Sequence, residues 1–221
     1  MSGSLNEIGG SIAKSTMDVF YATSFYSPII IIISVLVFSI FTGSLQKASW
    51  YFLWIFVITF FRILLYKFGG SLNNNEIPDI CTTGLTQIFI PKDVTYSTYI
   101  LSFSLMYFVL PMIMISKQNN TNVINYSVLA FFIAYIFLDL FIKNSLNCIG
   151  SLFSGSVIIS LLGGLFFGGI ISGLIMYGSS LRGYLFINEI NNNKEVCSMP
   201  TKQQFKCSVY KNGELVGSSV N

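Results

Sequence analysis

Histidine is absent from this chain, and charge is scarce: 12 Lys and Arg against 9 Asp and Glu, 10% of 221 residues. A soluble domain carries roughly 25% charged residues. Without histidine there is no imidazole acid–base catalysis and no metal site built on imidazole. Without charge, the chain is not a soluble globular enzyme, a disordered tail protein or a basic nucleic-acid binder. What is abundant is oil-like: 53% of residues are hydrophobic and 16% aromatic, and the mean hydropathy is +0.69. The class that remains is a multi-span membrane protein.

A spanning helix needs about 20 mostly apolar residues. Five stretches meet this: Pro28–Phe41 extended back through Phe25 and Tyr26, Trp50–Tyr66, Tyr99–Ile115, Val123–Ile142 and Leu152–Tyr177. Backbone groups in lipid must be satisfied within the segment, so each stretch should be a helix. The strict polar alternation of barrel strands is missing. The expected fold is therefore an all-α membrane protein. It has a polar or interfacial segment 1–24, then a five-helix bundle over 25–178 with spans near 26–43, 48–66, 98–116, 123–142 and 152–177. An extramembrane tail, 179–221, follows.

Five spans put the termini on opposite faces. Side A holds the N-terminus, the loop 69–98 and the loop 143–151. Side B holds the short loops 44–49 and 117–122 and the tail. Lys14, Arg62, Lys67, Lys92 and Lys143 belong to side A. Lys47, Lys117, Arg182, Lys194, Lys202, Lys206 and Lys211 belong to side B. The excess on side B points to a cytosolic tail. Met1–Thr23 lacks the pattern of a signal peptide, and Ser2 stands where myristoylation needs glycine. Ile8, Ile12, Val19 and Phe20 can line one face of an interfacial helix; a frayed polar leader is the alternative.

Within the tail, Phe205, Cys207 and Val209 alternate with Lys206, Ser208 and Tyr210. Asn212-Gly213 then supplies the two positive-φ residues of a type I′ turn. This predicts a β-hairpin at about 203–219. An isolated hairpin is marginal in water, so it should rest on the membrane, on another copy or on a protein partner.

Four cysteines sort by topology into Cys81 with Cys148 on side A and Cys197 with Cys207 in the tail. Each pair is a candidate disulfide, and four free thiols are the alternative. Neither the cysteines nor any other pattern calls for a metal or a cofactor. Asn119-Asn120-Thr121 and Asn125-Tyr126-Ser127 match the glycosylation sequon. Both lie against the membrane on side B, where no use of them is expected.

Ionisable residues inside spans are costly and mark pairing or function. Arg62 and Asp139 lie at similar depth, which permits an Arg62–Asp139 ion pair. Lys143, four residues after Asp139, competes for it on the same helix face. One reading is a site open to side A in which Arg62, Lys67 and Lys143 bind a phosphate or lipid headgroup. The other is that Arg62 and Lys143 snorkel to the interface while Asp139 pairs with one of them. The fifth span carries Ser156, Ser160, Gly164, Gly168 and Ser172 at four-residue steps, with Gly169 and Gly173 beside them. Such a ridge lets helix backbones approach closely. It predicts that this helix is central or mediates homo-oligomerisation. Pro111 should kink the third span. Rings of charge and a filter-like loop, the marks of an ion channel, are missing.

Two resemblances follow from quoted segments. FRILLYKF closes the second span, PKDVTYSTY opens the third, and FIKNSLNCIGSLFSGSVIISLLGGLFFGG covers the last stretch. This order, over roughly Phe61 to Gly173, resembles the type 2 phosphatidic-acid phosphatases. The resemblance implies a scaffold with a headgroup pocket and no catalytic residue, because both histidines of that family are missing. The tail CSMPTKQQFKCSVYKNGELVGSS, the Asn-rich loops and the Cys81 and Cys148 placement resemble multi-span membrane proteins of large nucleocytoplasmic DNA viruses. That likeness implies a virion inner-membrane component, with a viral thiol oxidase able to close disulfides on the cytosolic side. The function expected is a structural or scaffolding role in a lipid bilayer, with lipid-headgroup handling as the alternative.

Overall fold

A computed structural model of the protein describes residues 19–69, 78, 81, 93–119, 124–178, 181–190, 206–211 and 214–220. The helices are α1 (Val19–Phe25), α2 (Ser27–Thr42), α3 (Leu45–Gly69), α4 (Tyr96–Asn119), α5 (Tyr126–Ser145) and α6 (Gly155–Tyr177). A short 3-10 turn at Arg182–Tyr184 and the one-turn α7 (Ile187–Ile190) follow. Among the described residues four helices, α3 to α6, are long and apolar enough to cross a membrane. The count is five if α1 and α2, which meet at an 81° bend, are taken as one span. Apolar helices of this kind are compatible with an integral membrane protein.

Local signals set the helix ends. Pro28 sits in the first turn of α2, where its missing N–H costs nothing. α2 stops at Gly43, whose φ of +66° puts the chain in the left-handed region, and the Gly43 and Ser44 amides bond back to Ile40 and Ser39. Asn125 caps α5 by accepting hydrogen bonds from the Ser127 and Val128 amides at 3.1 and 3.3 Å. Its own amide donates to the Ile190 carbonyl at 2.9 Å. Two residues past the end of α5 comes Asn147, the one described non-glycine residue at positive φ. α4 continues through Pro111 to Asn119.

The centre of the bundle is α4, not the small-residue helix α6. Two thirds of the apolar window of α4 is buried, against a third or less in α3, α5 and α6. α6 lies closely along α4, and α5, α2 and α3 complete the wall. The small-residue ridge makes that approach. A methyl group added at Gly164 would lie 2.3 Å from the Tyr99 carbonyl oxygen, and one at Gly168 would lie 2.5 Å from that of Phe103. Ser172 turns its hydroxyl back to the Gly168 carbonyl at 2.7 Å. The ridge is thus spent within the chain, while Gly173 faces open space. On the other flank of α4, the Tyr51 hydroxyl lies 2.7 Å from that of Ser104, amid Phe103, Tyr107 and Phe108.

At side B the chain folds back under the bundle. Leu185 and Phe186 are buried, and Phe186 meets the rings of Phe38 and Phe108. Tyr184 stacks on Trp50, and Lys47 pairs with Glu189 at 2.7 Å. Beyond lie β1 (Lys206–Lys211) and β2 (Glu214–Val220), an antiparallel pair running from Lys206 opposite Val220 to Lys211 opposite Glu214. The register shifts between Val209 and Tyr210. The Asn212-Gly213 turn lies outside the described residues, as do most of segment 1–24 and the first residues of the tail.

Candidate functional site

The polar chemistry of the bundle gathers at side A, around the start of α4. Residues 93–98, Asp93-Val94-Thr95-Tyr96-Ser97-Thr98, are all buried. Asp93 and Thr95, just before α4, belong to one cluster, and Ser97 and Thr98, in its first turn, belong to a second.

The first cluster joins α3, α4 and α6. The Arg62 guanidinium donates through Nε to Asp93 at 2.9 Å and through one terminal nitrogen to the second Asp93 oxygen at 3.3 Å. The same nitrogen reaches the hydroxyls of Thr95 at 3.0 Å and Ser160 at 2.7 Å. Ser160 donates to Thr95 at 2.7 Å, and the Thr95 amide and hydroxyl both donate to Asp93. The Arg62 charge also sits over the Tyr99 ring, 5.2 Å from its centroid. The Arg62 and Asp93 side chains are 12% and 4% exposed.

The second cluster joins α5, α4 and the α1–α2 elbow. Asp139 accepts from Ser24 at 2.7 Å, from Ser97 at 3.1 and 3.0 Å, from Thr98 at 2.8 Å and from Lys143 at 2.9 Å. Lys143 also donates to Ser97. A carboxylate offers about four lone-pair sites, and here four side chains use them. Both charges are enclosed, with at most 1% of either side chain exposed. Next to this cluster Tyr135 donates to the Thr23 carbonyl at 2.8 Å. Immediately beyond α5, the Cys148 amide bonds to the Lys143 carbonyl at 2.8 Å. A disulfide joins Cys148 to Cys81, with Cα atoms 5.6 Å apart.

The expected Arg62–Asp139 pair is therefore corrected. Arg62 pairs with Asp93, and Asp139 pairs with Lys143 one turn along its own helix. The three cations proposed to share a headgroup do not converge. Arg62 and Lys143 are neutralised in separate clusters, and Lys67 is exposed near the end of α3. Ser160, Gly164, Gly168 and Ser172 are all buried, and Ser160 also belongs to the Arg62 cluster. Cys197 lies outside the described residues. Cys207 is placed only as backbone in β1, so the tail pair of cysteines is likewise outside them. Asp93 was missed because it stands outside every apolar run. A usable signal was the dense set of hydroxyls just after it, Thr95, Ser97 and Thr98, at the mouth of an otherwise apolar helix.

Among the described residues no group of three or more metal-binding side chains converges. Each carboxylate of the two clusters is matched by a cation and saturated by hydroxyl or amide donors. Such an arrangement ties α3, α4 and α6 together at one cluster and α5, α4 and the α1–α2 elbow at the other. Searched against known proteins, the chain matches no family model, no curated protein and no solved structure.

Proposed function

We propose that this is a non-enzymatic, five-span membrane protein with a structural or scaffolding role, in which the α1–α2 pair supplies the first span. α2 alone, at 16 residues, is about 24 Å long, short of a hydrocarbon core of about 30 Å. The bend residues on side A would complete the crossing. The observation that carries the reading is the closure of both side-A ion pairs on themselves. Among the described residues, Arg62, Asp93, Asp139 and Lys143 are consumed in holding helices together. The likeness to viral membrane proteins favours a virion inner membrane or host endomembrane as the setting. The basic excess on side B favours a cytosolic tail.

In this reading the β1–β2 pair, beyond the membrane domain, docks a protein partner. A chain lacking Lys202–Ser219 should insert into membranes in the same amount as the full chain. It should lose the neighbours that cross-link to the full chain in intact membranes. Unchanged cross-linking by the truncated chain removes the docking role. A phosphoester turned over by the purified protein removes the non-enzymatic reading.

A further inference from the structure

α2 is thinly packed against the bundle. Only Ser27, Pro28, Ile31 and Ser39 of its sixteen residues are buried. A cleft of about 320 Å³ separates it from α5, walled by Val35, Phe38, Phe131 and Phe132. A second, of about 390 Å³, separates it from α3, walled by Ile32, Phe52, Phe56 and Tyr96. Phe131 and Phe56 are 57% and 74% exposed, so both clefts open on the outer surface. On the inner face of α2 the Ser27 and Ser39 hydroxyls are buried without a hydrogen-bond partner among the described residues. Voids forfeit dispersion contacts, and an unpaired buried hydroxyl carries its desolvation cost. Such a seam gives up little when it parts.

The firm contacts are at the tip of this arm. Ser24, at the elbow, donates to Asp139 at 2.7 Å, and the Thr23 carbonyl accepts from Tyr135 at 2.8 Å. At the other end the chain turns through Gly43 before entering α3. The arm is thus pivoted at one end, weakly packed along its length and clasped at the other. Beneath the clasp lie two fully buried charges. Removing Ser24 still leaves Asp139 held by Ser97, Thr98 and Lys143, so the clasp can open while the ion pair persists.

We propose that α1 and α2 form a lateral gate, pivoting near Gly43 and latched by the Ser24–Asp139 hydrogen bond. Its release uncovers the Asp139–Lys143 pair at side A. This goes beyond the scaffolding role and stands without it.

The test is a pair of spin labels at Tyr26→Cys and Phe141→Cys in the full chain, with Cys197 and Cys207 replaced by Ser and the Cys81–Cys148 bond intact. Both label positions are partly or largely exposed, at 39% and 70%. In proteoliposomes the parent should give one dominant distance. Ser24→Ala should add a second, longer population, and Ser24→Thr, which keeps the hydroxyl, should return to the parent distance. A Ser24→Ala distribution matching the parent overturns the gate, and so does an equal shift in Ser24→Thr, which would mean that bulk rather than the hydroxyl matters. If Ser24→Ala does not fold, Tyr135→Phe removes the other clasp without touching Asp139. It should lengthen the distance as well, and an unchanged distance there overturns the proposal.

Discussion

Asp139 and Lys143 stand one turn apart on α5, 2.9 Å apart, with at most 1% of either side chain exposed. Two charges in such a place are tolerated only because each is the other's counter-ion and hydroxyls fill the remaining sites. Removing one partner strands the other, at about 3–5 kcal/mol. Asp139→Leu and Lys143→Met should each lower stability in detergent by that order. The double variant Asp139→Leu with Lys143→Met should recover a large part of it. Unfolding curves for the four proteins measure the coupling; a double variant as unstable as the sum of the singles would show that the pair does not act as a unit.

The Arg62 site depends on shape as well as charge. One guanidinium reaches Asp93, Thr95 and Ser160 at once, and an ammonium cannot reproduce that fork. Arg62→Lys should therefore lose about 1–3 kcal/mol although the charge is kept. Thermal melting in detergent tests this, and a melting point equal to that of the parent would contradict it.

Gly164 and Gly173 lie on the same helix but face different surroundings. Gly164→Ala drives a methyl group into the α4 backbone and should cost about 1–3 kcal/mol. Gly173→Ala meets nothing within 4 Å and should be neutral or stabilising by up to about 1 kcal/mol. Comparing the two in one unfolding assay separates packing from helix propensity, and equal effects would argue against the α4–α6 contact.

Cys81 and Cys148 close a separation of 67 residues. By loop-closure entropy, a link of that span stabilises by about 4 kcal/mol. Cys148→Ser and Cys81→Ser should each lower the melting point by a similar amount, and the double variant should fall no further. In the parent, neither thiol should take up maleimide until a reductant is added. Labelling before reduction would show that the bond is not formed.

The candidate spans are legible in the sequence because crossing lipid demands a length and a polarity that few other settings do. Their ends are less so. α3 starts at Leu45 rather than near 48, and α5 starts at Tyr126 rather than near 123. The choice was made by the Gly43 turn and the Asn125 side chain, not by hydropathy. Four-residue spacing displays the ridge on α6, but a ridge does not name its partner, and the partner is α4 of the same chain. Depth along a helix could place Arg62 level with Asp139. It could not say which helices touch, so the true partner, Asp93, was invisible until α3, α4 and α6 were seen together.

The Cys81–Cys148 link has a consequence for biogenesis. Cys81 emerges before α4 and α5, and Cys148 only after both. In the proposed five-span arrangement the bond would close only once that helical pair had entered the bilayer and returned to the same face. Oxidation would then be a late, post-insertional event, with the electron acceptor supplied by the compartment facing side A.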